Sequence, residues 1–92
     1  MVSPIVKELL LEPANSERLV ALCGEADAHL RQIESALGVE INYRGNRFRI
    51  VGEAQSIVLA QRVVESLYLE TLKTEVAADD VHLLLKEVEL DL

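Results

Sequence analysis

Aromatic residues are nearly missing: Tyr43, Phe48 and Tyr68 are the only three, and there is no tryptophan. A platform that stacks several bases is therefore not expected. The single cysteine, Cys23, excludes an intrachain disulfide and a cysteine-based zinc site. One thiol in a chain otherwise rich in leucine and valine fits a reducing compartment. Positive charge is also short: nine Lys and Arg stand against sixteen Asp and Glu, for a net charge of −7. That balance argues against strong autonomous binding to nucleic acid or an anionic membrane, although it leaves room for a local basic patch. No apolar run approaches the ~20 residues of a membrane span. The N-terminus MVSPIVKELLLEP has neither the apolar run nor the small-residue site of a secretory signal. A cytoplasmic location with no membrane partner is expected. Internal repeats and low-complexity tracts are absent too.

Ninety-two residues suit one domain, with a core over about 5–74 and a C-terminal helix over about 79–90. Ile5 to Glu12 is predicted as a strand, ended by Pro13, which cannot continue a ladder. Asn15 or Ser16 can cap a short helix with an apolar stripe of Leu19, Val20, Leu22 and Cys23, which Gly24 ends in left-handed cap geometry. Asp27 is expected to cap the next helix, whose face is Leu30, Ile33 and Leu37, and Gly38 closes it. Val39 to Arg44 alternates, with Val39, Ile41 and Tyr43 on one side. Gly45-Asn46 then offers the positive-φ residues of a two-residue hairpin turn, and Arg47 to Val51 resumes with Phe48 and Ile50 inward. From Glu53 to about Lys73 there is no Gly or Pro, and a stripe from Ala54 through Tyr68 to Leu72 marks a long helix. Leu59 and Val63 lie off that stripe. This second face needs a cover, and a last helix from about Asp79 to Val88 can supply it through Val81, Leu84, Leu85 and Val88. The fold class is α+β: a three-stranded antiparallel sheet in the order β-α-α-β-β-α, helices on one face, plus a C-terminal helix.

This order, with a glycine turn between two short helices, resembles the K-homology (KH) domain whose αα unit lies between its first two strands. KH domains grip single-stranded RNA or DNA with a GXXG loop that clamps the backbone. The matching loop here is Gly24-Glu25-Ala26-Asp27. Its second glycine is replaced by Asp27, and Glu25 adds a second negative charge. The wording LCG at 22–24, LRQIE at 30–34, LGVEI at 37–41, RGN at 44–46 and DVH at 80–82 looks like the N-terminal KH-like domain of PhoH-like proteins, across about residues 10–86. That resemblance implies a following P-loop ATPase domain, which would use ATP and Mg, and a link to phosphate starvation and RNA metabolism. It makes that ATPase domain a partner, with single-stranded RNA and self-association further candidates. The chain contains no GxxxxGK followed by Ser or Thr, so it is expected to be a non-catalytic part of a longer protein with no cofactor of its own.

Arg44, Arg47 and Arg49, with Gly45 and Asn46 between the first two, cluster at the hairpin, and Arg31 can add to them. Arginine offers a planar donor fork for phosphate. The competing reading is a solvated sheet face paired with Glu40, or a docking surface for another domain. Gly24–Asp27 is read as a degenerate backbone-binding loop or, preferably, a plain connection capped by Asp27. His29 is expected to face solvent and His82 to sit at a packing edge. The two are too far apart in sequence to suggest a metal pair. Cys23 reads as a small buried hydrophobe, and Asp79-Asp80 as acids favoured at a helix start. No catalytic constellation stands out. The functional expectation is a module that helps an ATPase hold RNA; the alternative is a module for inter-domain packing or oligomerisation.

Overall fold

Alternation in the strands decides which face of the sheet is covered. A computed structural model describes residues 4–90. It contains β1 (Ile5–Leu10), α1 (Ser16–Cys23), a single 3-10 turn (Glu25–Asp27), α2 (Ala28–Leu37), β2 (Glu40–Arg44), β3 (Arg47–Gly52), α3 (Ala54–Glu70) and α4 (Ala78–Leu90). The strands form one antiparallel sheet in the order β1-β3-β2. Phe48 and Ile50 on the central strand are fully buried beneath the helices, while Arg47 and Arg49, which alternate with them, are exposed. The β-α-α-β-β-α order with an added C-terminal helix agrees with the sequence.

Two hydrogen bonds fix the parity of the ladder. The Leu11 N–H donates to the Asn46 carbonyl at 2.9 Å. The Ile41 N–H turns away from β3 and donates to the Glu34 carboxylate at 2.8 Å. In an antiparallel pair the inward groups fall on alternate residues. On β1, therefore, the backbone groups of Val6, Glu8 and Leu10 point away from the sheet; on β2, those of Ile41 and Tyr43 do. Both are edge strands.

The strand expected to reach Glu12 stops at Leu10, although Leu11 stays buried and keeps its bond to Asn46. Asn15 is the cap of α1, accepting from the Arg18 N–H at 3.0 Å. Val20, placed in the apolar stripe by its spacing, is 71% exposed, because the eight-residue α1 buries only Leu22 and Cys23. Gly38 takes the left-handed cap as expected (φ 68, ψ 38). In the hairpin only Gly45 has positive φ. Asn46 instead donates its side-chain amide to the Leu11 carbonyl at 2.9 Å, tying the turn to the exit of β1.

The long helix ends at Glu70, and Leu72 lies beyond it, 65% exposed. Arg18 sets this end. Its guanidinium donates to the Tyr68 carbonyl (2.8 Å) and the Thr71 hydroxyl (2.9 Å) and lies 4.0 Å over the Tyr68 ring. A cation suits a helix C-terminus, where carbonyls lack partners. Leu59 and Val63, the second face of α3, are buried, and α4 packs on α3 and α2 through Val81, Leu85 and Val88. Asp80 reaches back to the Ala77 N–H at 2.8 Å and so caps α4. His82 is exposed. No helix among the described residues is long and apolar enough to cross a membrane.

Candidate functional site

The loop between α1 and α2 departs from the capped connection expected of it. Asp27 does not cap α2: it has left-handed backbone (φ 60, ψ 27) and makes no side-chain bond to the helix start. Ala26 is left-handed as well (φ 53, ψ 34). For residues with a Cβ this conformation costs roughly 1–2 kcal/mol, less for Asp than for Ala. The position where a second glycine would stand thus keeps a geometry glycine prefers, with a carboxylate added. That carboxylate accepts a hydrogen bond from the Tyr43 hydroxyl at 2.7 Å, so a long-range partner replaces the local cap.

Gly24 also differs from the left-handed cap. Its φ of 80 and ψ of 171 are open only to glycine. The reason lies in His29, which is buried and not solvent-facing. The Leu22 carbonyl can only accept, so His29 donates to it from Nδ1, at 3.1 Å. This bond satisfies a carbonyl left over at the end of α1. The imidazole is thereby laid against Gly24, where any Cβ would come within 2.7 Å of the ring.

Tyr43 is the hub of this end of the molecule. Its ring stacks on Phe48 with centroids 5.2 Å apart. Its bond to the Asp27 carboxylate, with some desolvation, holds its phenol well above the ordinary range. Burial pushes the neighbouring Cys23 thiol up to about 11; the Tyr43 hydrogen bond opposes this slightly and the Asp27 charge adds to it. A thiol held protonated is a poor nucleophile, in keeping with the packing role read from the sequence.

The register then divides the basic residues. Arg44 stands directly opposite Arg47, and Arg49 opposite Asn42 on one side and Glu8 on the other. Directly opposed Cβ atoms lie about 4.5–5.5 Å apart and diagonal ones about 7–8 Å. Arg44, Arg47 and Arg49 therefore form one cluster on the outward sheet face, away from the helices. Their guanidinium groups make no hydrogen bond or ion pair among the described residues. Like charges placed opposite each other cost up to about 1 kcal/mol, so the cluster has a local electrostatic cost that an anion would relieve. Arg31 is not part of it: it projects from α2 into a groove between α2 and β2, a cavity of about 590 Å³ also lined by Asp27, Glu34, Glu40 and Tyr43. No single surface gathers the loop, Arg31 and the hairpin arginines.

Comparison with known proteins places this arrangement. Over 49 residues, 53% of the chain, the sequence is 39% identical to PhoH-like proteins of Mycobacterium tuberculosis and Mycobacterium bovis. The chain is related to PhoH-like proteins. The PhoH-like protein of Mycobacterium leprae is 37% identical over the same length. The aligned stretch is only 14% of those PhoH-like proteins, so the chain spans a small part of their length. No protein-family model matches the chain. A crystal structure of a protein of unknown function from Aeropyrum pernix superposes with a TM-score of 0.77 over 99% of this chain and 49% of that one. At 15% identity this establishes a shared fold.

Three features of the site escaped the sequence reading: the Tyr43–Asp27 bond, the Glu34–Ile41 bond and the burial of His29. Only the first left a trace, since Tyr43 falls on the inward side of its strand by alternation.

Proposed function

We propose that this chain is a non-catalytic KH-like module of a larger PhoH-like protein, and that it holds single-stranded RNA for a P-loop ATPase domain outside these residues. The element order and the glycine loop between α1 and α2 support the KH-like reading. The contact surface is the outward sheet face at Arg44, Arg47 and Arg49. The observation that carries it is the opposed Arg44–Arg47 pair with Arg49 on the diagonal, all exposed and none held in an ion pair among the described residues, although Glu8 stands opposite Arg49. The loop is a poor phosphate clamp, since Asp27 and Glu25 repel a phosphodiester.

Fluorescence anisotropy with a short labelled RNA tests this. Three phosphate contacts to a single strand give a log–log salt slope of about −2, and Arg47→Ala or Arg49→Ala lowers its magnitude by about 0.7. Absence of binding at low salt, by this chain and by the longer protein, refutes the proposal. The alternative of a packing or oligomerisation module drew on the second face of α3. With Leu59 and Val63 already buried within the chain, that motive is met internally.

A further inference from the structure

The outward face of the sheet holds little that could read a base. All three aromatic rings of the chain lie elsewhere. Tyr43 and Phe48 stack on each other on the helix-covered side, and Tyr68 sits on α3 beneath the Arg18 guanidinium. By the register, the outward positions are Arg44, Arg47 and Arg49, with Asn42, Glu8 and Glu40 around them. The others, Val6, Leu10 and Val51, are aliphatic, with no side-chain donor or acceptor. Asn42 is therefore the one neutral side chain there able to hydrogen-bond a base or a ribose. A lone amide cannot orient a base that no ring stacks against.

The arginines themselves favour an anion. The opposed Arg44 and Arg47 repel each other. A base edge is neutral and leaves that repulsion in place, whereas a phosphate beside the pair offsets both charges and accepts from both donor forks. Arg49 lies diagonal to Arg44, about 7–8 Å away between Cβ atoms, so its long side chain reaches a neighbouring phosphate of the same strand. Carboxylates border this patch. Glu8 stands opposite Arg49, and Glu40 stands opposite Val51 in the next outward row. Both repel phosphate and confine a strand to the hairpin end.

We infer that this face takes a single strand by its phosphates alone, with the bases turned outward. The ligand class is then any unpaired phosphodiester chain, RNA or DNA, regardless of sequence. The inference rests on the RNA-binding reading and narrows it: neither the base nor the 2′-hydroxyl adds to affinity. Glu8 weakens the grip, because it competes with phosphate for Arg49.

Competition measured by anisotropy tests this. A labelled oligouridine is displaced by four unlabelled strands of equal length: oligouridine, an unstructured mixed-sequence RNA, oligothymidylate DNA and a chain of abasic deoxyribose phosphates. All should compete within about twofold of one another and weaken in parallel as salt rises. Arg44→Ala should weaken every strand alike. Glu8→Gln should tighten every strand by about twofold, the size expected of an exposed charge pair. Asn42→Ala should leave all of them unchanged. The inference is overturned, with the RNA reading intact, if the abasic strand competes about fivefold more weakly or worse, as lost base stacking would give. It is equally overturned if DNA competes that weakly, if Asn42→Ala lowers affinity for one RNA alone, or if Glu8→Gln changes nothing. If no strand binds this chain at low salt, the inference falls; the RNA reading falls with it only if the longer protein binds none either.

Discussion

Gly24→Ala is the most informative single substitution. The backbone there, at φ 80 and ψ 171, lies in a region essentially closed to residues with a Cβ, and holding alanine in it costs about 1–3 kcal/mol. The new methyl would also sit 2.7 to 2.9 Å from three atoms of the His29 ring. That ring cannot swing aside cheaply, because it is buried and bonded to the Leu22 carbonyl. Overpacking of this kind costs a further 1–3 kcal/mol or so. The sum, roughly 2–6 kcal/mol, is a large share of the ~5–14 kcal/mol typical of a chain this size. Urea denaturation followed by circular dichroism should show a lower midpoint at an unchanged slope. Repeating the substitution in a His29→Ala background separates the two causes. The clash is relieved there and the backbone strain remains, so the cycle should return a coupling of about 1–3 kcal/mol. A loss below about 0.5 kcal/mol, or an equal loss in both backgrounds, would refute the contact between ring and glycine.

Two further outcomes follow from the packing around α1. Cys23 should react slowly with an aromatic disulfide reagent near neutral pH and accelerate only toward its raised value of about 11, whereas the urea-unfolded chain reacts readily. Because its folded value is raised above the ordinary 9.0, the stability linked to this thiol is constant below about pH 9 and is lost as pH climbs through 11. Arg18→Ala removes two hydrogen bonds and a cation–π contact and should cost about 2–4 kcal/mol in a urea titration. Arg18→Lys should recover less than half of this, because an ammonium cannot span the Tyr68 carbonyl and the Thr71 hydroxyl together.

What the sequence made legible was governed by local periodicity. The alternation around Gly45-Asn46 yielded both hairpin strands with the right inward residues, and the stripe of α3, with Leu59 and Val63 off it, anticipated the packing of α4. The misreadings arose where a distant group outbid a local one. Asp27 had a sound local role as a cap, but the Tyr43 hydroxyl, sixteen residues away, takes its carboxylate. His29 falls outside the apolar stripe, which points it to solvent, yet a carbonyl stranded at the end of α1 draws it inward. Leu72 fitted the stripe of α3, but Arg18 binds the carbonyl and hydroxyl that end the helix first. The arginine cluster was half legible: strand alternation grouped Arg44, Arg47 and Arg49, but nothing in the spacing revealed that Arg31 belongs to a groove on the other side of β2.

The parity of β1 bears on how copies of this chain behave when crowded. Two β1 edges that met as antiparallel neighbours would pair through the outward groups of Val6, Glu8 and Leu10. The two registers that align most of the strand place either Glu8 against Glu8 or Lys7 against Lys7 at the symmetry axis. Like charges directly opposed resist such pairing. An edge flanked by the exposed Ile5, Val6 and Leu10 would otherwise be an open template for end-to-end sheet growth. One acidic and one basic side chain in the middle of β1 therefore act as a solubility guard. Neutralising both, as in Lys7→Gln with Glu8→Gln, would remove it without touching the core.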